Sequence, residues 1–225
     1  MRLPRPQRGF TMVELLIGMA IGLFIVAAAA SLMTGNLREN RNLLIENRLM
    51  QDLRTAADMI TRDLRRAGYW AAANAGVRSD GTGPVLLNPY VDVTPVAAAA
   101  DNVSFRFSRD ATENNTVDSN EQFGFRLRNG AIELQLGAGN WQALTDASTL
   151  TVTQFSVTPT VETISLGALC TSPCPAGSAT CPPQQHVRSL AVTIGGRATG
   201  DARLTRSVRS QVRLRNDPVI GTCPA

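Results

Sequence analysis

Lysine is missing from this chain. All 22 basic side chains are arginines, histidine occurs once, at His186, and tyrosine and tryptophan occur twice each. No G-x-S-x-G elbow, P-loop or H-E-x-x-H pair accompanies that histidine, so hydrolytic, phosphoryl-transfer and zinc-protease chemistry lack their usual groups. His186 lies at a loop-to-strand junction and reads as an exposed structural residue, and the chain reads as no enzyme, with no cofactor and no metal. The basic excess is also thin. Of the formal charge of +4, three units belong to Arg2, Arg5 and Arg8 at the amino terminus, which leaves +1 for everything after them. So small an excess calls for no nucleic-acid partner.

Proline is absent from Phe10 to Gly68, and charge is almost absent from Phe10 to Leu37, where Glu14 is the only ionisable side chain. Without proline one helix can run through this whole region, roughly 85 Å at 1.5 Å per residue. The stretch "RPQRGFTMVELLIGMAIGLFIVAAAASLM" is long and apolar enough to cross a bilayer once. The arginines before it favour a cytoplasmic amino terminus with the remainder exported. The change in character comes before the apolar core rather than after it, so the stretch does not read as an ordinary secretory signal. Glu14 then needs a reason. A carboxylate in hydrocarbon costs on the order of a few kcal/mol unless it meets a partner; alternatively it is tolerated near a helix start by the macrodipole or by protonation. Gly18 and Gly22 form a G-x-x-x-G that either admits a second helix backbone or reflects how common glycine is in membrane helices.

Beyond the span the chain turns amphipathic. Leu49, Leu53, Ala56, Ile60 and Leu64 recur at three- and four-residue spacing along one helix face, and Gly68 is a stop. Residues 69–102, poor in charge and rich in Ala, Gly and Pro, read as an irregular connection. The rest alternates as strands do. In "QFGFRLRNGAIELQLG" the Asn129-Gly130 pair suits a type I′ turn, a register that sets Leu127 against Ile132, Phe125 against Leu134, Phe123 against Leu136 and, on the other face, Arg126 against Glu133. Val103, Phe105 and Phe107 alternate likewise, and further strands fit 150–157, 187–194 and 204–214. A long helix followed by an antiparallel sheet is an α+β architecture.

Four cysteines remain, Cys170, Cys174 and Cys181 in a Pro-rich loop over 167–185 and Cys223 near the carboxy end. In an exported domain they suggest two disulfides, for which three connectivities exist. Their spacing matches paired C-x-x-C zinc ligands poorly. The loop "DATENNTVDSNEQ" gathers Asp110, Glu113, Asp118 and Glu121 but lacks EF-hand spacing and its glycine, and reads as a solvated hairpin loop. Arg206, Arg209, Arg213 and Arg215 mark the last strand region; without aromatic stacking partners they read as a charged face that discourages edge pairing rather than a nucleic-acid stripe.

"RGFTMVELLIGMAIG" closely resembles the class III signal of type IV prepilins and type II secretion pseudopilins. The resemblance implies cleavage by prepilin peptidase between Gly9 and Phe10, N-methylation of Phe10, and an assembly role for Glu14, which would face the amine of a neighbouring subunit's Phe10. Thr11 and Met12 fit the same pattern. "DLRRAGYW" after the helix and the late "VRLRN" look most like the PilW group of minor pilins. That likeness implies a leader over 1–9, a transmembrane and assembly helix over 10–33, its amphipathic continuation over 34–68, the connection over 69–102 and a periplasmic β domain over 103–225. It further implies a single pass through the bacterial inner membrane and then a place in the pilus, with the major pilin, other minor pilins and a tip adhesin as partners. Because pilins commonly staple their carboxy-terminal region, it also implies a bridge from Cys223 to the Cys-rich loop. A secretion pseudopilin and a membrane-anchored module that binds DNA or a surface are the alternatives.

Overall fold

One apolar stripe at helical spacing, with no proline to interrupt it, makes a long helix. In a computed structural model of the chain, α1 runs unbroken from Met12 to Leu64. The structure describes residue 9, residues 11–76 and residues 86–224. The leader up to Arg8, Phe10 and the "SDGTGP" segment of the connection lie outside the described residues.

The chain divides after Asn47 into two compact units. In the first, helical residues 12–44 are all exposed, Phe24 at 77% and Leu16 at 61% among them. An apolar surface of this extent has no cover of its own.

In the second unit the apolar stripe is buried. Leu49, Leu53, Ala56, Ala57, Ile60 and Leu64 join one core with residues from two antiparallel sheets. The first sheet has the order β1 (Val93–Thr94), β2 (Asn102–Arg106), β3 (Gln122–Arg128), β4 (Ala131–Leu136), β5 (Trp141–Ala143). The second runs β6 (Leu150–Ser165), β7 (Gln184–Ala198), β8 (Asp201–Arg213), with β9 (Val219–Ile220) also on β7. Ala100, just before β2, makes an isolated antiparallel bridge to Val157 of β6. The architecture is α+β and pilin-like, with each helix-facing strand contributing alternate residues such as Val103, Phe105, Phe125, Ile132, Val157, Val192 and Ile194 to the core.

The β3–β4 hairpin has the register that its turn requires. Leu127 pairs Ile132, Phe125 pairs Leu134, Phe123 pairs Leu136, and Arg126 pairs Glu133. Asn129 and Gly130 both have positive φ, 50° and 75°, which is the type I′ requirement. On the opposite face the Arg126 Nε donates to Glu133 Oε2 at 2.7 Å while its guanidinium lies 3.9 Å over the Trp141 ring.

Other boundaries differ from the sequence reading. α1 ends at Leu64, because the Arg66 N–H bonds Asp63 O and the Ala67 N–H bonds Leu64 O, tightening the last turn before Gly68 leaves it at φ +74°. β6 continues past Pro159 to Ser165, and β7 begins at Gln184 rather than Val187. Proline interrupts the alternation that sequence reading relies on, yet an edge strand needs no N–H on its free side. The connection contains β1, and it buries Tyr90 completely.

Candidate functional site

The amino-terminal end of α1 is built by local chemistry. The Thr11 hydroxyl accepts the Glu14 N–H at 3.3 Å, a cap on the first turn, and Glu14 occupies the third helical position, where the helix dipole favours a negative charge. Among the described residues the Glu14 carboxylate meets no basic group. Gly9 is exposed, and a side chain built at Gly9, Gly18 or Gly22 would touch nothing within 4 Å. Among the described residues, nothing in the packing therefore requires glycine at these three positions. Phe10, the residue that would be released and methylated, lies outside the described residues.

The helix's other end is clamped by three segments that are far apart in sequence. The Asn216 Nδ2 donates to Ala67 O at 3.1 Å, Gly68 donates its N–H to Arg106 O at 2.8 Å, and Asn88 Nδ2 donates to Gly68 O at 2.9 Å. A Cβ on Gly68 would come within 3.2 Å of Asn216 Cβ. The "DLRRAGYW" and "VRLRN" stretches thus meet, with Asn216 of the second covering a carbonyl that the end of the first leaves bare. Arg66 also stacks 4.0 Å from the Phe107 ring centre. Sequence reading singled out both stretches but not their contact, because Asn216 carries no periodicity signal.

The acidic loop departs most from expectation. Glu121 is fully buried rather than solvated. Its Oε1 accepts the Arg109 N–H at 2.7 Å, and its Oε2 accepts the Asp118 N–H and the Tyr90 hydroxyl, each at 2.9 Å. The carboxylate replaces backbone partners that the loop cannot provide for itself. Tyr90 also reaches Glu113 Oε1 at 2.9 Å, and burial followed by these two carboxylates pushes the phenol's pKa well up. Burial acts to raise the Glu113 pKa, but the donors around it, Ser108, the Asn115 N–H, Tyr90 and the Ala71 N–H, hold it below its ordinary value. Asp110, Asp118 and Glu121 bring carboxylate oxygens within 4.8 Å of one another. Since both Glu121 oxygens already hold N–H donors, the cluster organises its loop. Trp70 closes it from outside, donating to Asn115 Oδ1 at 2.9 Å.

At the far end of the second sheet, Cys170 bonds Cys223 and Cys174 bonds Cys181. His186 pairs across from Thr163 on β7, half-buried, and its N–H bonds Pro218 O. Arg209, Arg213 and Arg215 are exposed; Arg213 pairs Asp217 at 2.9 Å, and Arg206 donates to Thr205 O at 2.8 Å.

A capped, exposed helical run whose apolar part up to Leu37 carries Glu14 as its one charge, continuous with a helix backed by antiparallel sheets, marks a type IV pilin-like protein. Its amino-terminal residues 4–30 match the prokaryotic N-terminal methylation motif, and this motif together with the apolar helix fits a membrane-anchored pilin. Residues 42–214, most of the chain, match the family described as prepilin peptidase-dependent protein B, and the chain belongs to that family. No curated protein and no solved structure matches it.

Proposed function

We propose that this protein is a minor pilin of the PilW type, a structural subunit that primes or joins a type IV pilus and performs no catalysis itself. Prepilin peptidase cuts between Gly9 and Phe10, the new Phe10 amine is methylated, and α1 holds the processed chain in the inner membrane with its amino terminus cytoplasmic and residues beyond the span in the periplasm. Two disulfides in the second unit suit an oxidising compartment. The observation that carries the reading is Glu14, the one charge in the apolar run, on an exposed helix and with no basic partner among the described residues. In a bundle of such helices the Phe10 amine of the next subunit neutralises it and fixes axial register. Gly18 and Gly22, facing open space, let neighbouring helices approach. Arg2, Arg5 and Arg8 set the orientation. Other minor pilins, the major pilin and a tip adhesin are the partners.

Glu14→Ala tests this. The substitution removes the pairing group while easing the helix into lipid, so insertion and cleavage persist and crosslinked complexes with other pilins decline. Undiminished complexes from a correctly processed Glu14→Ala protein, with normal piliation, would contradict the assembly role.

A further inference from the structure

The second sheet has two long edges, and they are treated differently. β8 carries Arg203, Arg206, Arg209 and Arg213 along its length, the charged guard that prevents strand addition. β6 carries one ionisable residue, Glu162, in all of Leu150–Ser165. Near its middle the β6 edge is occupied by the Ala100–Val157 bridge, and Pro159 follows. Beyond Pro159, residues 160–165 are all exposed and pair only with β7 among the described residues. Val161 is 42% and Ile164 43% exposed, on opposite faces of this stretch. Every second residue here directs its N–H and C=O away from β7, so a free edge of roughly 20 Å at 3.3 Å per residue stands open.

This open edge is also unusually well braced. Gln185 and Gln184 of β7 pair with Val219 and Ile220 of β9, the Leu166 N–H bonds Pro183 O, and the Thr222 N–H bonds Thr180 O. The Cys170–Cys223 and Cys174–Cys181 bridges close the loop that follows. At its base Arg188 donates to Val91 O at 2.7 Å and to Asn216 O at 3.0 Å. A two-stranded projection with little core beneath it would fray without such ties. Held rigid, it needs little ordering to receive a partner.

We infer that residues 160–165 of β6 form a docking edge for an extended strand of another protein, a strand with aliphatic or β-branched side chains and a basic residue that meets Glu162. Main-chain hydrogen bonds supply the attachment, Val161 and Ile164 supply one contact on each face, and Pro159 ends the pairing so that the incoming strand spans these six residues. The Arg-guarded β8 edge takes no such strand. This inference concerns the sheet and is independent of the assembly role given to α1.

The test uses the full chain in detergent micelles and a synthetic octapeptide of alternating threonine and valine with one central arginine. Amide hydrogen exchange read by mass spectrometry is expected to slow by about tenfold or more at residues 160–165 when peptide is added, with β8 unchanged. The same peptide N-methylated at every amide, which leaves neither of its edges an N–H to donate, should give no protection, and a peptide with glutamate for arginine should give less. Val161→Arg and Ile164→Arg, which copy the guard of β8, should remove the effect while both disulfides and the thermal transition persist. The inference is overturned if the wild-type chain shows no protection, if β8 is protected equally, or if the N-methylated peptide protects as well. Protection that appears without peptide as chain concentration rises would overturn it in favour of a second copy as the occupant.

Discussion

Replacing Glu121 gives the sharpest test of how the acidic loop is held. Glu121→Ala strands the Arg109 and Asp118 N–H groups and removes one of the two carboxylate partners of Tyr90. An unsatisfied buried donor costs about 1–3 kcal/mol. Both N–H groups are only partly buried, so the low end applies to each, and with the small cavity left behind the total is about 3 kcal/mol. Glu121→Gln keeps the shape but must turn its NH2 toward one of those N–H groups, since both carboxylate oxygens act as acceptors, and it should cost about 1–2 kcal/mol. Tyr90→Phe removes one hydroxyl and should cost about 1 kcal/mol. Urea unfolding of the full chain in micelles, followed by tryptophan fluorescence, suits the measurement because Trp70 bonds Asn115 in the same loop. With a slope of about 1–3 kcal/mol per molar urea, the alanine variant should unfold some 1–3 M earlier. A Glu121→Ala effect within about 0.5 kcal/mol, the range of ordinary surface substitutions, would refute the loop-organising role.

The two disulfides should contribute unequally. Loop-closure entropy for separations of 53 and 7 residues gives about 4 kcal/mol for Cys170–Cys223 against about 2.4 kcal/mol for Cys174–Cys181. Unfolding midpoints of the two paired Cys→Ser variants check this, and equal losses would contradict it. Asn216→Ala, which bares the Ala67 carbonyl, should lower stability by about 1 kcal/mol. Gly68→Ala should cost at least as much, because it adds strain at φ +74° to crowding against Asn216 Cβ; circular-dichroism melts that leave both variants at the wild-type midpoint would show that the clamp is idle.

The parts of the fold most legible in the sequence are those where one local rule acts alone. Asn129-Gly130 fixes its own turn and hence every pair in β3–β4, and the Leu49–Leu64 stripe fixes the helix face that is buried. Where a residue's role is set by distant chain, the sequence is silent. Glu121 looks like a surface acid until Arg109, Asp118 and Tyr90 surround it, and Pro159 looks like a strand end until β6 proves to be an edge. Asn216 and Gly68 stand well over a hundred residues apart, so no window on the sequence places them together. At the amino terminus the opposite holds: the methylation motif is almost entirely a sequence statement, and the structure adds the Thr11 cap and, among the described residues, a Glu14 carboxylate that meets no basic group and open space around Gly18 and Gly22.

Processing at that motif is read out by the mass of the mature amino terminus. The protein should be recovered from membranes of its native host, digested, and its first peptide sequenced by mass spectrometry. The expected chain begins at Phe10 with one added methyl on its amine, and Gly9→Val is expected to remain an unprocessed precursor. A wild-type chain that still begins at Met1, or a Gly9→Val chain trimmed and methylated like the wild type, would contradict it.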